Sequence, residues 1–499
     1  MRRIGDGSIR GAAAAAAIIA IIGIAATASS VGWAGVGAQA SVVAGGARPQ
    51  DPARAVVSRA VDLMGGQALR DVERVRLDMM TQWQRSSYRD VPWTDRPSFE
   101  PHTDLRDYTI PAWRNTRDFG ARKIVNVVRD SVATTDIGNG FQPQSVAYVD
   151  ERDELFLYTP DRLVLLLDGA DDLRTRGDTV IGGELHRVVW ATVLDGQPVT
   201  VAFHAGSGLP ALLRFRRGHP NDFGLVPFGE MSVEVWYSGW QSYGDLAIPT
   251  QWDIVRAGAP YKRMTVQRAT FDPELGADSF AVAPDLRAAF LEARRPMHDR
   301  PVDSVTTVVS GLVRLHAFGY PEGAVRVGRG WVLLQAGHAP LTLTRGRSAV
   351  EAHGVDRIIA AVIAAARPAN GGVAALVQDR VPVYTSVAAE PFLNAILEGA
   401  DVPRRNITVV REPLRVESDG AQPLLEPVDL PDVPGSLVVY APEQAWLYAP
   451  DAVDALDIRI VRELARARGW SVEGLGTARG LWSSAVDCPA NGRVEVTRC

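Results

Sequence analysis

A change of hydrophobic period near residue 300 limits most sharply what this chain can fold into. From Val75 to about Val282, short runs alternate apolar and polar residues in twos, as in "RVRLDMM", "HRVVWATVL", "PVTVAFHA", "ALLRFRR", "SVEVWYSGW" and "KRMTVQRATF". Successive side chains of a strand point to opposite faces, so each run reads as a half-buried strand. "SVAYVD" and "ELFLYT" are read the same way. Asp195-Gly196 and Gly206-Ser207-Gly208 separate such runs, which predicts a large antiparallel meander. One long sheet leaves an apolar face to be covered. A helix over 53–64, with Val56, Val57, Ala60, Val61 and Met64 on one side and Gly65-Gly66 at its end, is one cover. A second helix is expected near 159–166.

The charged, proline-broken stretch "ARRPMHDRPVDS" (293–304) marks a boundary. Beyond it, "GLVRLHAF" and "GAVRVGRGWVLLQAG" read as strands, and "SAVEAHGVDRIIAAVIAAA" reads as a long helix. A strand ("VPVYTS"), a helix ("AAEPFLNAILEGA") and strands at 407–417 and 424–428 follow. The hairpin "GSLVVYAPEQAWLYAPD" turns at Pro442-Glu443 and delivers Asp451 where its second strand ends. A helix in "AVDALDIRIVRELARARG" and a strand in "WSVEGLG" close the region. The expected class is α+β: a curved antiparallel sheet with helices over 53–295, then a layered domain over 305–486. At 499 residues the chain has length for more than one core.

The two ends carry different signals. Arg2, Arg3 and Arg10 flank "GAAAAAAIIAIIGIAATA", and "GAQA" at 37–40 suits a signal peptidase. Residues 1–40 are therefore expected to be a signal peptide and 41–52 a linker, placing the mature chain in the periplasm or outside the cell with no membrane span. A retained anchor is the alternative reading. Both cysteines, Cys488 and Cys499, fall in the tail 487–499, and an oxidising compartment favours a disulfide between them. Of 53 basic residues only Lys123 and Lys262 are lysines, and the net charge is −5 with no polybasic run. Nucleic acid is excluded as a partner on that balance; protein partners are unspecified.

Catalytic motifs are scarce. The sequence contains no Gly-x-Ser-x-Gly elbow, phosphate loop or His-Glu-x-x-His. Asp171-Asp172, and likewise Glu151, Asp153 and Glu154, read as solvated surface acids. Seven of the twelve tryptophans (Trp83, Trp93, Trp113, Trp190, Trp236, Trp240 and Trp252) lie in the strand-rich region. They suit core packing, or the wall of an apolar cavity.

The element order from "GLVRL" through "NGGVAALVQDRVPVYTS" to the hairpin ending in Asp451 resembles the metallo-β-lactamase-fold hydrolases over 305–486. The resemblance implies an αββα sandwich and an aspartate, at the place of Asp451, bridging two zinc ions. The family's His-x-His-x-Asp-His motif should precede the Gly371-Gly372 pair, but "AAARPAN" stands there, and no histidine follows His353. Catalytic zinc needs about three protein ligands, and one carboxylate cannot supply them. His316, His338 and His353 match none of the family's ligand positions. Asp451 is accordingly expected to cap or turn the chain before a helix at 452–468. The expectation is no catalytic residue and no cofactor; zinc held by Asp451, His338 and His353 in a rebuilt hydrolase site is the alternative.

"LMGGQALRDVERVRLD", "GSGLPALLRF" and "YGDLAIPTQWDI" make 53–290 similar to the β-rich domain of periplasmic lipoprotein carriers. That resemblance implies acyl chains in the concave face of the sheet. Taken together, the sequence reads as an exported, non-catalytic protein that binds or scaffolds, with a hydrophobic or acyl ligand as its expected partner. A carrier working through its first domain alone is a further reading.

Overall fold

A computed structural model describes residues 51–483 apart from 84–97, 121, 220, 222–228, 277, 294–303, 318–319, 338–346, 355–356, 366–370, 417–421, 432, 453 and 478–481. The leader and its cleavage site, Trp93, His338, Cys488 and Cys499 lie outside the described residues. Among the described residues, no helix is long and apolar enough to cross a membrane.

The alternating segments form a single sheet. Its strands are β1 (Arg74–Trp83), β2 (Ser98–Asp107), β3 (Ala112–Asp118), β4 (Lys123–Arg129), β5 (Val132–Asp136), β6 (Phe141–Pro143) and β7 (Arg174–Ile181). They continue with β8 (Glu184–Val193), β9 (Gln197–His204), β10 (Pro210–Gly218), β11 (Glu230–Tyr243), β12 (Leu246–Arg256) and β13 (Ala259–Phe271). The spatial order is β6-β5-β4-β3-β2-β1-β13-β12-β11-β10-β9-β8-β7. Two antiparallel meanders thus meet at the β1–β13 pair, where Val75 lies opposite Phe271.

The inner face of this sheet is covered by α1 (Pro52–Leu63), α3 (Ala147–Tyr158) and α4 (Pro160–Gly169), with the short α2 (Gln67–Asp71) following α1. The helices expected at 53–64 and near 159–166 are present as α1 and α4. "SVAYVD" and "ELFLYT" are not strands: they are the two ends of α3. The polar middle "ERDE" hid the period, because Arg152 and Glu154 are buried with the apolar side chains of that helix. Between α3 and α4, Thr159 is extended at ψ 122°, as the residue before a proline must be, and Pro160 opens the next helix. α5 (Pro284–Ala293) packs beside β5 and β6.

Two smaller sheets follow. One runs β14 (Ser304–Val309), β15 (Leu312–Ala317), β16 (Tyr320–Val327), β17 (Gly330–Leu334), β18 (Ile358–Ile363), β19 (Val383–Thr385) and β20 (Ile407–Val409), in that spatial order. The other runs β21 (Leu414–Arg415), β22 (Leu424–Leu430), β23 (Val433–Ala441), β24 (Trp446–Tyr448), β25 (Gly474–Gly476) and β26 (Trp482–Ser483). The long helix expected over "SAVEAHGVDRIIAAVIAAA" is corrected here. Only 347–351 is helical, and "IIAAVI" is the parallel strand β18 between β17 and β19. A parallel strand buried on both faces is apolar throughout, so its sequence has no alternation to betray it.

Leu312, Val332 and Val362 of the first small sheet share one core with Leu425, Leu437 and Trp446 of the second, so the two sheets pack face to face. α6 (Val373–Gln378) and α7 (Glu390–Gly399) cover the far side of the first. α8 (Ala455–Ala467) covers the far side of the second through Ile458 and Val461. The α6–α7 layer joins the thirteen-stranded region in one continuous apolar cluster. Gly229 allows that contact: it sits at φ +59°, and a Cβ there would lie 3.1 Å from the carbonyl oxygen of Gly399.

Candidate functional site

The corner between α3 and α4 is clamped by a buried polar chain. Arg106 donates to the Thr159 hydroxyl at 2.7 Å, and that hydroxyl donates to Asp161 at 2.6 Å. The Tyr108 hydroxyl reaches the other oxygen of Asp161 at 2.7 Å. Burial, and then the neighbouring Asp161 carboxylate, raise the Tyr108 phenol above its ordinary range. The Arg162 guanidinium stacks on the Tyr108 ring at 3.7 Å.

This clamp holds the helix pair over β8–β11 and leaves a cavity of about 1420 Å³ between them. Ligand pockets commonly measure ~300–1,000 Å³, so the space is large. Phe156, Leu157, Leu165, Leu166, Leu194 and Phe215 supply its apolar wall. Several charged groups on the lining are already engaged. Arg214 pairs with Glu234 at 2.8 Å. Arg152 donates to Asp153 at 2.8 Å and to the carbonyl oxygens of Pro111 and Asp130. A wall of this kind rewards apolar contact more than net charge on a ligand.

Behind α3 lies a buried ion cluster that the sequence reading missed. Glu154, expected at the surface, is fully buried. Arg256 donates to it at 2.6 Å, and the His219 ring lies 2.6 Å from its other oxygen. Burial alone would raise this carboxyl, but the charges of Arg256 and His219 hold it well below the usual carboxylate range. Glu151 pairs with Lys262 at 3.4 Å. That lysine is buried near the rings of Trp83, Tyr158 and Tyr261. A helical period through 147–158 would have exposed the signal, since Glu154, Leu157 and Tyr158 stand at i, i+3 and i+4 on one face. Asp171 and Asp172 are exposed, as read from the sequence.

At the seam of the two small sheets, Asp451 follows β24 and is buried. The Ser436 hydroxyl donates to its Oδ2 at 2.7 Å. Gly435, at φ +72°, brings the start of β23 close enough that a Cβ would lie 2.9 Å from that of Val387. Of the two roles expected of Asp451, cap or turn, it has the turn that precedes α8; the cap is Asp454, which accepts from the backbone N–H groups of Leu456 and Asp457 in a capping box. His353 is exposed in a turn and His316 lies in β15. Among the described residues no three histidine, cysteine, aspartate or glutamate side chains come together in a way that could hold a metal.

A second feature of this region was also missed. Glu322 on β16 is buried, and that burial pushes its carboxyl up to about 8, opposed only in part by the backbone N–H of Gly337. Gln335, just after β17, is buried at the positive φ of 80°.

No family model matches the chain, and no curated protein matches it. Solved structures similar to parts of it include two kinds. A DUF1329 family protein from Desulfovibrio piger is 10% identical with a TM-score of 0.32, over 46% of this chain and 98% of that one. A putative outer membrane lipoprotein-sorting protein domain from Vibrio parahaemolyticus is 9% identical with a TM-score of 0.29, over 46% and 97%. A metallo-β-lactamase from Pontibacter korlensis is 15% identical with a TM-score of 0.29, over 36% and 92%.

Proposed function

We propose that this chain is an exported binding protein that holds a hydrophobic or acyl ligand beneath α3 and α4. In this reading its β-rich domain spans 53–295 and its layered domain 305–486. The observation that carries it is the cavity of about 1420 Å³ with its wall of Phe156, Leu157, Leu165, Leu166, Leu194 and Phe215. The layered domain, read as an αββα metallo-β-lactamase-like sandwich without its histidines, serves as a scaffold and performs no zinc hydrolysis. Its contribution is the α6–α7 layer that shares a core with the ligand-binding sheet.

The test is extraction of the purified protein with organic solvent, followed by mass spectrometry, together with titration by a fluorescent long-chain fatty acid. Saturable binding, lost in Leu166→Arg, supports the reading. Absence of both a co-purifying amphiphile and saturable binding would overturn it. Elemental analysis addresses the scaffold separately: tightly held zinc that disappears in Asp451→Ala would make this a rebuilt hydrolase.

A further inference from the structure

The inner face of the β2–β5 half of the large sheet carries a polar row. Asp104, Asn115, Asn126 and Thr135 stand directly opposite one another on successive strands. Side chains so paired share a face, and this row is on the face that also presents Leu77 and that α3 covers. Their exposures are 2%, 7%, 1% and 5%. At one end the polarity is satisfied: Asn115 donates to Asp104 at 2.7 Å, and Arg106 donates to the other oxygen of Asp104 at 3.3 Å. At the other end it is not. Among the described residues, neither the carbonyl oxygen nor the nitrogen of the Asn126 amide has a protein partner, and neither has the Thr135 hydroxyl. Arg106 Nε and Trp113 Nε1, one row away, are in the same condition.

Buried polar groups in folded proteins are almost always hydrogen-bonded, to protein or to ordered water. Leaving five such atoms dry within one strip would cost a large share of a typical fold's stability. We infer that the strip between α3 and β2–β5 is a hydration site, binding a row of ordered water molecules bridged by Asn126, Thr135, Arg106 and Trp113. The chemistry favours water over an ion. The unpartnered atoms mix donors with acceptors, and the carboxylates that act on Arg106 are already held, Asp104 by Arg106 and Asn115 and Asp161 by Thr159 and Tyr108. A buried water needs two to four polar partners, which neighbouring residues of this row can supply. α3 then lies between the apolar cavity on one side and a wet seam on the other.

Two measurements decide it. A crystal structure at a resolution that shows ordered solvent should place water oxygens within hydrogen-bond distance of the Asn126 amide and the Thr135 hydroxyl; a strip closed without solvent would overturn the inference. Asn126→Leu and the nearly isosteric Thr135→Val give opposite signs under the two alternatives. If the strip is wet, each substitution strands a water and lowers the melting temperature. If it is dry, each removes an unpaired polar group and raises it. A rise in both variants would refute the hydration site. Thr135→Val keeps the test open if Asn126→Leu does not fold.

Discussion

The two halves of this protein bury carboxyl groups in opposite ways. Glu154, in the large-sheet half, is buried among charges: Arg256 and His219 keep it ionised. Glu322, in the layered half, is buried opposite Leu315 with no charged group among the causes of its shift, and burial keeps it protonated near neutral pH. An ionised group in a low-dielectric interior survives only with partners, whereas a lone one gives up its charge. One half should therefore fear acid and the other base.

The largest effect is expected from breaking the paired cluster. Glu154→Ala leaves Arg256 and His219 buried without their counter-charge, which should cost ~3–5 kcal/mol. A fall in the urea midpoint with little change of slope would report it. The sign with pH follows from linkage. The folded carboxyl lies below its ordinary value of 4.5, so its stabilisation is complete above about pH 4.5 and fades as pH falls toward the folded value. Acid unfolding that is identical in Glu154→Gln and the parent protein would break this half of the comparison.

Glu322 gives the mirror image. Its folded value of about 8 exceeds the ordinary 4.5, so the folded state holds a proton that the unfolded chain releases between those limits. Stability should drop as pH climbs from about 4.5 to about 8 and level off above, by up to a few kcal/mol at ~1.4 kcal/mol per unit. Glu322→Gln should flatten that slope. Equal slopes in variant and parent would remove the idea.

Most of the large sheet could be read from the sequence because one face is buried and the other is not, so period two is written into β8 to β13. The same logic failed where burial is two-sided or mixed. β18 is apolar throughout, and α3 carries Arg152 and Glu154 on its buried side. The buried charges were unreadable for a related reason. Glu154 becomes interpretable only beside Arg256, 102 positions away, and only folding brings the pair together. At the hairpin the sequence placed Asp451 at the end of β24 and offered it a cap or a turn; it stands in the turn, and the cap is Asp454. Three residues separate the two aspartates, and helix ends are seldom fixed from sequence to better than that margin.

That pair of aspartates sharpens the comparison at smaller scale. Asp451→Ala removes the acceptor of the buried Ser436 hydroxyl, a loss of ~1–3 kcal/mol. Thermal unfolding should report it, and Ser436→Ala in the same background should cost little more, because the two groups serve each other. Additive losses would show that the two residues are not coupled.

Asp454→Ala should have the smallest effect. Asp454 accepts from two N–H groups at the exposed first turn of α8, and losing an N-cap costs ~1 kcal/mol. The capping box adds a second contact, from the backbone N–H of Asp454 to Asp457 at 3.4 Å, which is long and should matter little. Asp454→Asn or Asp454→Ser should restore most of the loss, since either side chain still offers an oxygen to the first turn. Rescue by Asn distinguishes capping from a purely electrostatic role at the positive helix end, which only a charged residue would satisfy. A neutral Asn variant as unstable as Ala would assign the effect to the helix dipole instead.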